Sequence, residues 1–200
     1  MFRFSVDIIG KREVDRALTA MQATLTDIVP ILKKIADDFY ATMEERFDRE
    51  GSYEGTPKWE PLSEGYRKTK EFFFPGKGIL ERTGALRESI TRSNAPGSVF
   101  KIENGQLQIG SDLTVNGFNL LKLHSEGYYR PPIRPRFKKA LAFYIGSKKV
   151  FAQYVKGVNV PARPVVMISG AQKERWRRII HEELYNRLKP AWEEIQGAQI

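Results

Sequence analysis

The residues of this chain that could perform acid–base or metal chemistry are few and poorly spaced for it. The two histidines, His124 and His181, lie far apart in the sequence. His181-Glu182-Glu183 begins like the helix of a zinc protease, but the position four residues after His181, where a second histidine ligand is needed, holds Tyr185. The sequence therefore predicts no metal site, and His181 is expected to be a partly exposed helical residue.

Motifs for nucleophilic catalysis or phosphate binding are also missing. The chain has 0 cysteines, hence no thiol nucleophile and no disulfide. It contains no Gly-x-Ser-x-Gly elbow, and Gly76-Lys77-Gly78 lacks the Lys-Ser/Thr ending of a phosphate-binding loop. The adjacent carboxylates Asp37-Asp38 and Glu44-Glu45 fall in a predicted helix, where a solvated face explains them better than catalysis. We therefore predict no catalytic residue, no cofactor and no enzymatic activity.

The positive charge of the chain is concentrated in one segment. The formal net charge is +9, from 33 basic and 24 acidic residues. Residues 127–173 contain ten basic residues and no acidic one, which leaves 33 − 10 = 23 basic residues against 24 acidic ones elsewhere. Such a segment could face nucleic acid, an acidic protein or solvent, and the sequence leaves these three alternatives open. The candidate electropositive surface consists of Arg134, Arg136, Lys138, Lys139, Lys148 and Lys149.

This basic segment is predicted to be a β-hairpin. Strands are expected at 136–145 and 150–155, around a turn at Gly146-Ser147-Lys148-Lys149. Aromatic residues between the basic ones would allow phosphate contacts with base stacking. However, Phe137, Leu141, Phe143 and Ile145 alternate as the core face of a strand would, which leaves the basic residues on the solvent face.

The N-terminal part predicts one strand and a long helical region. Apolar and polar residues alternate over 2–8, as in a half-buried strand. An apolar stripe at helical spacing runs through 11–49, interrupted by Pro30. Asp27 could cap a second helix and place Pro30 in its first turn, where the missing N–H costs little. One kinked helix and two abutting helices both remain open.

The middle of the chain predicts short elements between loops. Ser63 is expected to cap a short helix, Thr83 to cap another, and Asn104-Gly105 to turn a hairpin. A further short helix is expected from Phe118 to His124. The segment 72–78 is predicted to be a loop, whose three phenylalanines would form a docking patch or, as the favoured alternative, pack under the long helix.

Together these patterns predict an α+β fold with a small mixed or antiparallel sheet packed against long N-terminal and C-terminal helices. We expect a single domain over 1–200, with a strand and helices at 1–50, a loop-rich β region at 51–168 and a C-terminal helix at 169–200, which Pro190 breaks or continues as a last turn. The composition suggests a soluble protein with no membrane span and no secretory signal, and a cytoplasmic folding compartment.

In order, the motifs of the chain resemble those of the phage virion morphogenesis family, the tail-completion or neck proteins of Mu-like and P2-like phages. They also look like the related minor tail-completion proteins of long-tailed phages. The resemblance extends from about Phe47 to Ile168. It rests on Gly55, Pro57, Trp59, Pro61, Leu62 and Ser63, on Ile79-Leu80, Thr83-Gly84, Leu86-Arg87 and Ser89-Ile90, on Ile109-Gly110-Ser111, on His124 and Gly127, and on Pro161-Ala162-Arg163-Pro164.

The resemblance implies a structural assembly protein without enzymatic activity. Such a protein would form a ring, hexameric in the family, at the head–tail junction. Its partners would be the head connector on one side and the tail terminator or tail tube on the other, with non-specific DNA contact as an alternative use of the basic hairpin. It would be made in the host cytoplasm and end in the virion, whether of an infectious phage, a prophage or a tail-derived particle.

Within this resemblance, five residues are candidates for subunit or partner contacts. Trp59 and Leu62 would be apolar anchors or, alternatively, would pack a long loop onto the core. Phe73 belongs to the candidate docking patch. Arg87 and Arg163 would each hold a carboxylate or loop carbonyls with a fork of N–H donors, either across an interface or as an internal clamp.

Overall fold

The computed structural model describes residues 15–16, 18–19, 22–23 and 27–197, and over these residues the fold is α+β, as predicted. In the part of the chain that the structure describes, the helices with defined bounds are α1 (Val29–Asp48), α2 (Glu64–Phe73), α3 (Ala85–Thr91), α4 (Leu120–Glu126) and α5 (Gly170–Gly197), and residues 15–16, 18–19 and 22–23 are also helical. The strands are β1 (Ser98–Glu103), β2 (Gln106–Ser111), β3 (Thr114–Val115), β4 (Phe118–Asn119), β5 (Tyr128–Arg130), β6 (Leu141–Ile145), β7 (Lys148–Ala152) and β8 (Val158–Val160). The predicted strand at 2–8 lies outside the described residues.

Helix α1 begins one residue later than the predicted cap implies. Residues 22–23 are helical, Asp27 and Ile28 are not, and the helix begins at Val29. The N-cap is Ile28, without a side-chain capping bond, so the predicted cap at Asp27 was wrong. Pro30 does lie in the first turn, as predicted, where a helix has no internal acceptor for the missing N–H.

The core forms along one side of α1. Phe39, Met43 and Phe47 recur every four residues and are buried, because this spacing places them on one helix face. They pack against a cluster drawn from the loops and from α3: Trp59, Ile79, Leu86, Ile90 and Val165. The helix thus serves as the platform on which the loop segments 51–62, 78–81 and 161–165 are fixed.

Helix α5 lies against α1 and is held there by polar contacts. Arg175 Nε donates to Asp38 Oδ1 over 2.7 Å, and Trp176 Nε1 donates to Asp38 Oδ2 over 2.7 Å. The predicted C-terminal helix is confirmed, and it continues through Pro190 rather than ending there.

The hairpin β1–β2 confirms its turn prediction. Glu103 pairs with Gln106, leaving Asn104 and Gly105 as the two turn residues. Their φ angles are 50° and 72°, the left-handed values that a type I′ turn needs at both positions. Asn and Gly adopt these values most readily, which is why the dipeptide was informative.

The three predicted short helices exist near their predicted positions, but their bounds or capping contacts differ from the prediction. Ser63 is the N-cap of α2 without a side-chain bond, and α2 extends to Phe73, so Phe72 and Phe73 are helical rather than in a loop. The N-cap of α3 is Gly84, with φ of 84°, and Thr83 Oγ1 accepts a 3.4 Å bond from the backbone N–H of Ala85, two residues on. Helix α4 begins after Asn119, whose side chain caps it by accepting from Lys122 N over 2.9 Å.

The strands pair two by two, within the described residues, instead of forming one sheet. Three pairings follow one another: β5 with β8, the bridge between Ile133 and Val155, and β6 with β7. Together they form one long antiparallel β-ribbon over residues 128–160, which we call the ribbon. Between the Ile133–Val155 bridge and the Leu141–Ala152 pair, one side of the ribbon has seven residues, 134–140, and the other side has two, 153–154. The longer side therefore protrudes, and we call residues 134–140 the basic bulge.

Candidate assembly surface

A buried arginine that the sequence analysis did not select organises the loops beneath the surface. Arg46 is 1% exposed on the core side of α1. Its Nη2 donates to Pro164 O over 2.9 Å, its Nε to Val165 O over 3.2 Å, and its Nη1 to Thr56 Oγ1. Burial lowers the pKa of its guanidinium. The sequence signal was its position within the apolar stripe, three residues after Met43.

Trp59 lies in this interior. It is 3% exposed, its ring meets Phe47 edge-on at a centroid distance of 5.1 Å, and its Nε1 donates to Pro164 O over 2.9 Å. Leu62 is half-buried and packs against the same core. Of the two alternatives that the sequence left open, internal packing describes Trp59, whose side chain has almost no surface left for a neighbour.

Arg163 is likewise an internal clamp in this structure. Its Nε donates to Glu60 O over 2.6 Å and its Nη2 to Pro61 O over 3.0 Å, while its backbone N–H donates to His124 O over 2.7 Å. Burial is the main cause that lowers the pKa of Arg163. Burial, with the nearby Arg163 charge, also lowers the pKa of His124. The 51–62 loop is thereby tied to the segment that follows the ribbon.

Arg46, Lys70 and Arg163 share one feature: each is a buried cation bonded to backbone carbonyls. Lys70 reaches Gly78 O, and burial lowers its pKa against the opposing effect of Glu81. None of the three forms an ion pair within the described residues. Carbonyl oxygens satisfy the N–H donors of such groups, and the loops whose carbonyls are used become fixed to the helices. The arrangement is a scaffold and not a reactive site.

Arg87 joins two helices at the edge of this scaffold. It contacts Glu81 Oε1 at 2.8 Å, Asp48 Oδ1 at 2.7 Å and also Glu44. Partial burial would lower the pKa of Arg87, but the hydrogen bonds to Glu81, Glu44 and Asp48 outweigh it and raise the pKa. Arg87 thus holds carboxylates, as the sequence suggested, and those carboxylates belong to its own chain.

The ribbon, by contrast, is exposed. Every candidate of the electropositive surface is exposed: Arg134, Arg136, Lys138, Lys139, Lys148 and Lys149. The first four lie in the basic bulge, since β6 begins only at Leu141, and the last two lie on β7. Phe137 was predicted to face the core, and this was wrong: it is 98% exposed in the bulge.

Aromatic side chains accompany the cations along the ribbon. Arg134 lies over the ring of Tyr154 at 5.3 Å, and Lys149 Nζ lies 5.4 Å from the centroid of Phe151. Tyr154 and Phe151 are exposed, as is Tyr129 near the ribbon's base. Aromatic residues and arginine are enriched in protein interfaces.

The ribbon's turn rests on α2. Thr69 Oγ1 donates to Tyr144 O over 3.0 Å and accepts from Gly146 N over 3.1 Å, and the ring of Phe73 meets Tyr144 edge-on at 5.3 Å. Phe72 and Phe73 are exposed, so the favoured prediction that they pack under the long helix was wrong. They extend the exposed aromatic surface of the ribbon onto α2.

Among the described residues, no group of three or more His, Cys, Asp or Glu side chains is placed to hold a metal ion. Within the same part of the chain, no helix combines the length and apolar character needed to cross a membrane.

Comparison with known proteins gives one match. Residues 9–112, just over half of the chain, match the model of the phage virion morphogenesis family. No curated protein and no solved structure matches. The matched segment contains the 51–62 loop, α3 and the β1–β2 hairpin. It ends before His124, the ribbon and Pro161–Pro164.

Proposed function

Because this chain belongs to the phage virion morphogenesis family, we propose that it is a structural subunit of the head–tail junction. Copies of the chain form a ring, hexameric by the family resemblance, between the head connector and the tail terminator or tail tube. The protein is made in the host cytoplasm and remains in the virion. The role is one of assembly, without catalysis or cofactor.

The observation that carries this proposal is the contrast between the clamped interior and the exposed ribbon. Buried cations fix three loop segments to α1 and α2, so the body of the protein is preorganised. The ribbon extends from that body with exposed Tyr129, Phe137 and Phe151 and with no acidic residue. A rigid body with an exposed aromatic and basic extension suits a part that binds neighbours.

Localisation in the particle tests this proposal. Gold-labelled antibodies against the chain, imaged by electron microscopy on purified virions, should mark the neck between head and tail. Antibodies against a major tail protein serve as the control and should label the tail along its length. Labelling of the capsid surface or tail tip, or the absence of the chain from washed particles, would refute the junction role.

One observation favours a second candidate function, a DNA-binding accessory role for the ribbon. Lys138, Lys139, Lys148 and Lys149 are exposed and no acidic side chain lies in the same segment. If these lysines contact phosphates, duplex affinity should fall steeply with salt and should be abolished by their replacement with glutamate. Unchanged affinity in that variant would remove the ribbon as a DNA site.

A further inference from the structure

The outer face of the ribbon is open to a partner. In the β6–β7 register, the pairs Tyr144–Lys149 and Ala142–Phe151 lie on the same face, and all four residues are exposed. The other face of the same strands is mostly half-buried. Beyond it, the basic bulge presents Phe137, 98% exposed. An exposed aromatic face of this kind marks an interaction surface.

The cations of the ribbon lack counter-charges. The eight basic residues between Arg130 and Lys156 form no ion pair within the described part of the chain, and the segment contains no Asp or Glu. A partner that covers this face must therefore supply negative charge as well as apolar surface.

The chain itself carries a matching surface on α1. Asp37, Glu44 and Asp48 follow one another at intervals of seven and four residues, which places them on one helix face. We call these three residues the acidic stripe; Ala41, also exposed, lies between them, and all three carboxylates are exposed. Asp37 forms no ion pair among the described residues.

The acidic stripe keeps a net negative charge in the folded chain. Glu44 and Asp48 share the single guanidinium of Arg87 with Glu81. One cation thus faces three carboxylates, and Asp37 adds a fourth. Lys33, one turn before Asp37, bounds the stripe at its N-terminal end.

We propose that the outer face of the ribbon docks on the acidic stripe of a second copy of this chain. The inference rests on the proposed ring and names the contact between its neighbours. The two surfaces are different, so the contact is heterologous, and repetition by rotation closes a ring. Within one chain Thr69 holds the ribbon's turn on α2, and Phe73 contacts the outer face at Tyr144. This leaves Ala142, Lys149 and Phe151 of the outer face for a neighbour.

A protein surface explains the ribbon better than a DNA duplex does. Phosphates would use the lysines and arginines but would leave Phe137, Phe151 and Val158 in water, and all three are exposed here. A helix face with Ala41 between carboxylates offers charge and apolar area together. DNA binding is therefore an outcome that the experiment must be able to reveal.

A charge-exchange experiment with two variants tests the contact. The first variant replaces the ribbon lysines by Lys138→Glu, Lys139→Glu, Lys148→Glu and Lys149→Glu. The second places positive charge on and beside the acidic stripe by Asp37→Lys, Ala41→Lys and Glu45→Lys, where Glu45 is a neighbouring carboxylate of α1 that pairs with Arg49. It leaves the contacts of Arg87 with Glu44, Asp48 and Glu81 intact. The matched control reverses two exposed lysines elsewhere, Lys101→Glu and Lys122→Glu. Circular dichroism verifies that each variant is folded.

Sedimentation velocity at low salt over a concentration series provides the measurement. Wild type and the control should self-associate, while each charge variant alone should associate about tenfold or more weakly, because like charges then meet. An equimolar mixture of the two variants should regain wild-type association, since both pairings in the mixture are again attractive. Zero-length cross-links between isotope-labelled and unlabelled wild-type copies should join ribbon lysines to Asp37, Glu44 or Asp48.

Several results would overturn the inference. The inference is wrong if the wild-type protein remains monomeric and forms no such cross-link at the highest concentration. It is also wrong if the charge variants associate like wild type, or if their mixture does not regain wild-type association. If the ribbon variant loses duplex DNA binding while its self-association is unchanged, the ribbon is a DNA-binding surface. Any of these results leaves the junction role standing if the chain still labels the virion neck, whereas absence from the neck refutes the proposed function itself.

Discussion

Arg46 and Trp59 donate to the same backbone carbonyl oxygen, that of Pro164, each over 2.9 Å. The two residues lie on α1 and on the 51–62 loop, and Pro164 lies after the ribbon. One acceptor thus ties together three segments that are far apart in the sequence. A carbonyl oxygen has two lone pairs and can accept both bonds.

Arg46 is expected to stabilise the fold through its buried donors. Arg46→Met keeps much of the apolar stem but removes the donors to Pro164, Val165 and Thr56, which leaves buried acceptors short of partners. We expect the free energy of unfolding to fall by about 2–4 kcal/mol. Arg49→Met is the matched control, because Arg49 is exposed and its contacts, an ion pair with Glu45 and the ring of Tyr53, lie at the surface. It should change stability by about 0.5 kcal/mol or less. Urea denaturation followed by circular dichroism measures both, and equal effects would contradict the clamp.

A double-mutant cycle tests the shared carbonyl. Trp59→Phe removes the indole N–H and some buried volume, and it should cost about 2 kcal/mol alone. Combined with Arg46→Met, it leaves Pro164 O without either donor. The double variant should then be less stable than the sum of the singles by about 1 kcal/mol. Strict additivity would mean that the two bonds are independent. Trp192→Phe, at an exposed position, controls for the loss of an indole.

The base of the ribbon depends on Gly127. Its φ is 72°, and a Cβ there would lie 2.7 Å from both Ala162 N and Val160 O. Gly127→Ala should lower the free energy of unfolding by about 2–4 kcal/mol, from backbone strain plus the clash. Gly117 is the matched control: its φ is 80°, but nothing lies within 4 Å of the added Cβ. Gly117→Ala should therefore cost only about 1 kcal/mol, for the strain alone. Thermal or urea unfolding measures the difference between the two variants. Equal losses would contradict a close contact at Gly127.

His124 predicts how stability varies with pH. Burial and the Arg163 charge lower the pKa of His124 in the folded state, and its Nδ1 is buried without a hydrogen-bond partner among the described residues. The unfolded chain binds the proton more readily, near pH 6.5. Stability is therefore complete above about pH 6.5 and falls as the pH drops below it toward the folded-state pKa.

Unfolding midpoints between about pH 7.5 and 5.5 measure this effect. The midpoint should decrease as the pH falls, and His124→Gln should flatten that decrease. His181→Gln changes the exposed histidine on α5 and should leave the slope as in wild type. If the unfolding midpoint of the His124 variant changes with pH as steeply as that of wild type, groups other than His124 cause the pH dependence.

The sequence predicted the elements whose signals are local. Asn104-Gly105 defined the first hairpin because two consecutive residues had to adopt positive φ. The apolar stripe predicted α1, and the C-terminal helix predicted at 169–200 corresponds to α5. Pro190 did not end α5, so the intrinsic cost of proline was overridden there.

The site could be predicted only in part, because burial depends on contacts between distant segments. The resemblance selected Trp59, Arg87 and Arg163, but not whether they face a neighbour or their own chain. Arg46 escaped selection because a charged residue in an apolar stripe is ordinarily expected to point to water. Phe137 was placed inside because its alternation with Leu141 assumed a regular strand, which the basic bulge interrupts.

The proposed role of this chain is to join heads to tails, and counts of particles produced in its absence test that role. Negative-stain electron microscopy of particles produced without the chain should show filled heads and complete tails that remain separate. Supplying the wild-type chain should restore joined virions. Normal numbers of joined virions without the chain would show that it does not join heads to tails.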